Sequence, residues 1–210
     1  MNLTVFGATG GIGQEIVRQA LAAGHRVTAV VRDPTRLPVT GAALDVVSAD
    51  FSDPEALRPA VAGRDAVLSG LGARSRKDAG VATRLTRSVL TAMEAEGVRR
   101  LLVVSAGPVG PAPEGDGLLD RAARGLVSAI LKDVYADLRT MEAEVSRSAT
   151  EWTVVRPPRL LDGPLSGSYR TVVGGFPRGG RFIVRADVAH AMLAMVEDPE
   201  TVRQGVGVAR

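Results

Sequence analysis

Three glycines near the start of the chain, Gly7, Gly10 and Gly13, have a spacing that could bind the phosphates of a nucleotide. An apolar run precedes them and apolar residues at helical spacing follow, which predicts a strand, a tight turn and a helix. Glycine lets the backbone of such a turn approach a ligand, and the free N–H groups of the helix face a pyrophosphate. The spacing differs by one residue from the usual dinucleotide fingerprint, and an ordinary strand-to-helix turn is the alternative. The predicted cofactor-binding residues of this turn are Gly7, Thr9, Gly10, Gly11, Ile12 and Gly13.

Two arginines follow the second predicted strand, which covers residues 27–31. Arg32 lies at the strand end and Arg36 a short step further along the chain. At this place in a dinucleotide fold an acidic residue binds the 2′-hydroxyl of NAD, whereas an arginine pairs with the 2′-phosphate of NADP. The arginines therefore favour NADP(H) over NAD(H), while Asp33 keeps NAD(H) open as an alternative. Solvation at the surface would explain both arginines without a ligand.

Small and polar residues also follow the third, fourth and fifth predicted strands. Because ligands of open α/β sheets collect at the carboxyl edge, these positions are further candidates for contact with a cofactor. Ser105 could bind a substrate or the nicotinamide carboxamide, and it could equally be a small residue at a crowded strand end. An ordinary turn would also explain the residues after the fourth strand. The other predicted cofactor-binding residues are Asp50 and Phe51, after the third strand, and Gly70, Leu71 and Gly72, after the fourth.

These candidates need a sheet that brings its strand ends to one edge. Apolar β-branched runs alternate with amphipathic helical segments along most of the chain, a pattern typical of parallel βαβ units. We therefore predict an α/β protein with a Rossmann-type doubly wound parallel sheet. The 210 residues, 45% of them hydrophobic, fit a single domain over residues 1–210. The alternation stops at residues 159–180, which we expect to form a small C-terminal substrate-binding insertion that covers the carboxyl edge of the sheet.

Composition narrows the chemistry further. The chain has no cysteine and two histidines, so we predict no metal site. The Gly-x-Ser-x-Gly and P-loop motifs are absent, which leaves hydrolase and P-loop activities without support. The 26 basic residues nearly balance 23 acidic ones and aromatic residues make up 3%, so we expect no nucleic-acid partner. No apolar run approaches ~18 residues, which predicts no membrane association and a cytoplasmic location.

Several segments together resemble a known family. They are the glycine turn, Arg32-Asp33-Pro34, Ser105-Ala106 and the run from Trp152 to Pro158. Together they look like the atypical short-chain dehydrogenase/reductases that bind NAD(P)H, and the likeness covers nearly the whole chain. Arg156-Pro157-Pro158 followed by residues 162–169 is similar to the biliverdin reductase B, or flavin reductase, branch. On this resemblance we assign Pro157 to the cofactor site and Pro158 and Arg159 to the substrate site.

The catalytic residues that the resemblance implies are Ser105 and Tyr135. Classical members of the superfamily use a serine with Tyr-x-x-x-Lys, in which the lysine lowers the pKa of the tyrosine. Here Tyr135 lies in the second of two helical pieces predicted over residues 118–148, and Arg139 stands where the lysine would be. An arginine supplies positive charge but does not titrate as that lysine does. The flavin reductase branch lacks the tyrosine–lysine pair, which implies that solvent supplies the proton.

The sequence and the resemblance together predict an NADPH-dependent oxidoreductase. Hydride would pass from the nicotinamide to a flavin, a quinone or a similar conjugated small molecule. The alternative is a redox sensor that resembles the NmrA-like proteins, which keep the dinucleotide fold and regulate a partner without catalysis. An isomerase or epimerase of a nucleotide-linked substrate is a third possibility, against which the weak acid/base set argues. We expect the protein to be a monomer or a homodimer.

Overall fold

The structure is a computed structural model that describes residues 1–72, 80–111 and 131–210. Within these ranges the chain forms ten strands and five α-helices. The strands are β1 Asn2–Phe6, β2 Arg26–Val31, β3 Leu44–Ser48, β4 Ala66–Ser69, β5 Arg100–Val104, β6 Glu151–Arg156, β7 Arg159–Leu161, β8 Arg170–Val173, β9 Phe182–Val184 and β10 Gln204–Ala209. The helices are α1 Gly11–Ala22, α2 Pro54–Val61, α3 Val81–Glu96, α4 Lys132–Arg147 and α5 Arg185–Ala194. The predicted helical stretch before Leu131 lies outside the described residues.

Eight of the strands form one sheet in the order β3-β2-β1-β4-β5-β6-β10-β8. Neighbouring strands from β3 to β10 are parallel, and β8 pairs antiparallel with β10. The chain order reverses at β1, because β2 lies on one side of it and β4 on the other. This reversal opens a crevice at the carboxyl ends of the two central strands. The predicted Rossmann-type doubly wound sheet is confirmed.

Helices cover both faces of the sheet, and the central strands β1, β4 and β5 are buried on both sides. Leu3 and Val5 of β1 are fully buried among apolar side chains of α1 and α5. Phe6 is buried on the opposite face, among side chains of α2, α3 and α4. Within the described ranges, no helix is long and apolar enough to cross a membrane.

The segment after β6 divides between the sheet and the region next to it. β7 and β9 form a separate two-stranded parallel sheet, whereas β8 extends the main sheet as its last strand. The connection between β7 and β8 is tied to α5 by Asp187, whose side chain is almost fully buried. This carboxylate accepts hydrogen bonds from the Ser166 amide at 2.8 Å, the Ser166 hydroxyl at 2.6 Å and the Gly167 amide at 3.0 Å. That residues 159–180 cover a substrate remains a prediction.

A buried arginine fixes the end of α5 against the sheet. Arg100, the first residue of β5, is only 7% exposed. Its guanidinium donates to the carbonyl oxygens of Val196 at 2.8 Å, of Met195, and of Glu151 at 2.7 Å. Burial lowers the pKa of Arg100, although the neighbouring acids oppose this effect. A positive charge at these carbonyls also complements the negative end of the helix dipole.

Candidate functional site

The glycine turn brings the ends of two strands and the start of a helix into contact. Gly7 has a φ of +73°, a left-handed conformation that glycine adopts at little cost. A Cβ atom on Gly7 would lie 2.8 Å from the carbonyl carbon of Gly70, at the end of β4. A Cβ atom on Gly13 would lie 2.1 Å from the carbonyl oxygen of Gly7. Larger residues at these positions would force the backbone apart.

The first turn of α1 is open to a ligand. α1 begins at Gly11, and its N-cap residue is Gly10. Among the described residues no side chain caps this end of the helix. The free N–H groups and the helix dipole at such an end favour an anion.

A cleft of about 910 Å³ lies above this turn, at the place where the chain order reverses. This volume falls within the range of about 300–1,000 Å³ that is typical of small-molecule sites. Most of the residues predicted to bind a cofactor line it. They are Gly7, Thr9, Gly10, Gly11, Ile12, Arg32, Arg36, Asp50, Phe51, Gly70, Leu71 and Gly72. Gly13 is not in the lining, because it lies beneath the turn and packs against Gly7.

The end of the cleft next to β2 carries two exposed arginines. Neither Arg32 nor Arg36 forms an ion pair within residues 1–72, 80–111 and 131–210. The nearby Asp33 is occupied, since its carboxylate accepts from the Thr35 hydroxyl at 2.6 Å and from the Thr35 amide at 3.0 Å. These two hydrogen bonds are the main reason that the pKa of Asp33 is lowered, and the charge of Arg36 adds to the effect. All three residues border the cleft, and the Asp33 carboxylate is held by its own turn while the two arginines offer positive charge.

Asp50 and Phe51 lie on the same side of the cleft, after β3. The Asp50 carboxylate accepts from the Ser52 amide at 2.8 Å. The Phe51 ring is 95% buried and packs edge-on against Phe6, with 5.9 Å between the ring centroids. The bulk of this ring therefore belongs to the core, and only a small part of Phe51 borders the cleft.

A residue of α4 fixes the helix that forms the opposite wall. The first turn of α3 borders the cleft through Val81, Arg84 and Leu85. Its N-cap residue is Gly80, which has no side chain to cap the helix. The buried carboxylate of Asp137 replaces such a cap and accepts from the Ala82 amide at 3.0 Å and the Thr83 amide at 3.1 Å. The Thr83 hydroxyl donates to the same carboxylate at 2.6 Å.

A family of proteins described as NAD(P)H-binding matches the chain over residues 7–199. The chain belongs to this NAD(P)H-binding family. The matched range begins at the first glycine of the turn and includes every residue of the cleft lining.

Two curated relatives of this NAD(P)H-binding protein are reductases. A (4-alkanoyl-5-oxo-2,5-dihydrofuran-3-yl)methyl phosphate reductase from Streptomyces griseus is 30% identical over 164 residues, which are 78% of this chain and 50% of that protein. A 3-diazoavenalumate denitrifying reductase from a Streptomyces species is 33% identical over an alignment of 229 positions that covers 96% of this chain and 74% of that protein. The chain thus spans half the length of the first relative.

A solved structure shows the same fold with a nucleotide bound. A short-chain dehydrogenase/reductase (wide type) from Veillonella parvula, in complex with NADP, superposes with a TM-score of 0.83 and 20% sequence identity. The superposition covers 100% of this chain and 94% of the other. At this identity the likeness shows the fold alone.

The residues around the cleft fit the dinucleotide that the family binds. The turn packs closely on itself where a diphosphate would approach, since a Cβ atom on Gly7 would lie 2.8 Å from the Gly70 carbonyl carbon and one on Gly10 would lie 3.2 Å from the Gly7 carbonyl oxygen. Arg32 and Arg36, which form no ion pair in the part of the chain that the structure describes, supply positive charge at the end of the cleft where the adenosine ribose binds in such folds. Binding of NAD(P)H is therefore consistent with both the family and the local geometry.

Ser105 and Pro157, the latter predicted to bind the cofactor, lie outside the cleft lining, and so do the other candidates for catalysis and substrate. The structure brings Ser105 and Pro157 together at the ends of β5 and β6, where the Ser105 amide donates to Val155 at 2.8 Å and the Gly107 amide donates to Pro157 at 2.7 Å. The Ser105 side chain is 93% buried, and its hydroxyl has no partner among the described residues.

Of the other three candidates, Pro158 and Arg159 follow Pro157 directly in the chain, whereas Tyr135 belongs to α4. Tyr135 is buried in the apolar cluster of α2, α3 and α4, and this burial raises the pKa of its phenol. Pro158 is half-buried and Arg159 is exposed, at the beginning of β7.

Sequence reasoning missed several residues of the site. Arg84 and Leu160 border the cleft, and so does Arg185, the first residue of α5. A positive residue in the first turn of a helix that follows a strand is the only local signal for Arg84 and Arg185. Their place in the cleft depends on how distant helices pack, which the local pattern does not reveal.

Proposed function

We propose that the protein is an NADPH-dependent reductase that transfers hydride to a flat conjugated acceptor, such as a flavin or a quinone. The observation that carries the preference for NADPH is the pair of free arginines at the β2 end of the cleft, next to an aspartate that is held by its own turn. The family and the two reductases among its relatives support the assignment to the oxidoreductases.

The cleft divides into parts with different tasks. The glycine turn and the first turn of α1 bind the diphosphate through backbone N–H groups. Arg32 and Arg36 bind the 2′-phosphate, and Gly70 and Gly72 let the ligand pass close to the end of β4. When bound, the nicotinamide supplies hydride to the acceptor.

The chain's own residues orient the reactants and leave the proton to solvent. Among the described residues that line the cleft there is no tyrosine, histidine or lysine. Ser105 and Pro157, at the neighbouring ends of β5 and β6, orient the nicotinamide carboxamide or the acceptor. Pro158 and Arg159 begin the segment over residues 159–180, which covers the acceptor.

The same lining also favours a second function, that of an NmrA-like redox sensor. A cleft whose described lining holds no tyrosine, histidine or lysine suits a protein that binds the cofactor without turnover. Such a sensor should bind NADPH and NADP with different affinities and should retain a protein partner in a pull-down. A reductase needs neither property.

The decisive experiment measures oxidation of NADPH and of NADH by the purified protein with FMN, several quinones and biliverdin in turn. We expect turnover with at least one acceptor, and faster turnover with NADPH than with NADH. Boiled protein corrects for direct reduction of the acceptor by the cofactor. Tight binding of NADPH without turnover of any acceptor would refute the reductase and favour the sensor.

A further inference from the structure

Arg185 borders the cleft next to the glycine turn. It is the first residue of α5, and its aliphatic stem lies against the first residue of α1. A Cβ atom on Gly11 would be 2.5 Å from the Arg185 Cδ and 2.9 Å from its Nε. Only glycine at position 11 therefore leaves the stem where it lies, and the guanidinium is placed beside the open first turn of α1.

Among the described residues the Arg185 guanidinium contacts one carboxylate, and the side chain that carries this carboxylate is exposed. Arg185 Nη1 lies 2.5 Å from Asp162 Oδ1. The Asp162 side chain is 92% exposed, whereas that of Arg185 is 31% exposed. Within the described ranges no other hydrogen bond of the Arg185 guanidinium is present, so most of its five N–H donors are free. Ion pairs with such an exposed partner contribute little to stability.

This arrangement places two positive groups side by side. The N-terminus of α1 carries the positive end of the helix dipole, and Arg185 adds a full charge next to it. The Asp162 carboxylate, on the connection after β7, is the anion that meets the guanidinium in the structure. A diphosphate at the glycine turn would offer more oxygens, in a geometry that a guanidinium can bind in a bidentate manner.

We propose that Arg185 is a binding residue for the diphosphate of the nucleotide and that it exchanges Asp162 for this ligand. The inference rests on the proposed function, since it takes the cleft to be the dinucleotide site. The ligand class of this residue is a nucleoside diphosphate, whatever its ribose carries. Arg185 thus differs from Arg32, which would read the 2′-phosphate alone.

The test uses two small probes that separate these groups. ADP has the diphosphate without a 2′-phosphate, and 2′-AMP has the 2′-phosphate without a diphosphate. Calorimetric titration of Arg185→Gln should show ADP, NADPH and NADH weakened by a common factor of about ten to a hundred, with 2′-AMP unchanged. Arg185→Lys should recover part of the loss. Arg26→Gln, which removes an exposed arginine outside the cleft lining, is the matched control and should bind as the wild type does.

The exchange is tested by Asp162→Asn, which removes the competing anion. We expect this variant to bind ADP severalfold more tightly than the wild type, whereas equal or weaker binding would overturn the exchange. Unchanged ADP affinity in Arg185→Gln would overturn the role of Arg185 and leave the proposed function standing, provided that the wild type binds NADPH. A wild-type protein that binds none of these ligands would overturn both. Thermal unfolding of each variant verifies that the fold is retained.

Discussion

Replacement of Arg32 by alanine is the sharpest test of which cofactor the cleft prefers. The side chain is exposed at the end of β2, and it has no ion-pair partner among the described residues. The substitution therefore breaks no interaction of the free protein, and the fold should keep its stability. Any loss of affinity then reports contact with the ligand alone.

The size of the effect follows from the surroundings of Arg32. A hydrogen bond to a charged group contributes about 1.5–3 kcal/mol, and solvent exposure moves the value toward the lower end. Arg36 borders the same end of the cleft and would keep part of the charge. We therefore expect Arg32→Ala to weaken NADPH by about 1–2 kcal/mol, or roughly five- to thirtyfold. NADH, which lacks the 2′-phosphate, should lose at most about twofold.

The assay is a pair of fluorescence titrations with NADPH and NADH, repeated at low and high salt. The double variant Arg32→Ala/Arg36→Ala should widen the difference between the two cofactors, since both positive charges are then gone. The NADPH loss should shrink at high salt because exposed charges are screened. An equal loss for NADPH and NADH would refute the reasoning, and a preference for NADH in the wild type would refute it outright.

Three further predictions concern stability, catalysis and pH. Arg100→Met should lower the free energy of unfolding by about 3–5 kcal/mol in urea denaturation, because buried carbonyl groups lose their charged donor. The neighbouring Arg99→Met, at a side chain that is 66% exposed, should cost less than about 1 kcal/mol. Ser105→Ala should keep the free energy of unfolding within about 0.5 kcal/mol of the wild-type value, since the buried hydroxyl has no partner among the described residues. The same variant should lower kcat. Lost stability with an unchanged kcat would contradict the proposed role of Ser105. Burial raises the pKa of Tyr135, so its contribution to stability is present below the ordinary tyrosine pKa of about 10 and is lost as the pH rises through the raised value. Above about pH 10, the free energy of unfolding of Tyr135→Phe should therefore fall less steeply with pH than that of the wild type. Parallel curves of stability against pH for the two proteins would contradict this.

Local sequence patterns are sufficient to predict the parallel sheet and the residues on one side of the cleft. The turn around Gly7 and the residues that follow β2 and β4 lie next to each other because parallel strands end at one edge. Strand order follows from general rules of α/β topology once strands and helices alternate. The glycine spacing also reflects backbone contacts, such as that between Gly13 and Gly7, which any sequence with this turn requires.

The rest of the site depends on contacts between distant parts of the chain. Arg185 is 174 positions after Gly11 in the chain, and it contacts that residue because α5 packs against α1. The pattern around Phe51 also does not reveal that most of its ring packs against Phe6, so that only a small part of the residue borders the cleft. Ser105 and Tyr135 were paired by resemblance, and the structure gives them different surroundings, a strand end and an apolar cluster.

Asp137 of α4 caps α3, and this contact connects the cleft wall to α4. No described residue of α4 borders the cleft. The carboxylate comes from α4, while the amides that it binds belong to the turn that forms the cleft wall. By thermodynamic linkage, a ligand that stabilises this wall must also stabilise the attachment of α4. Amide hydrogens of α4 should therefore exchange more slowly when the cleft is filled, although no atom of the ligand needs to touch that helix.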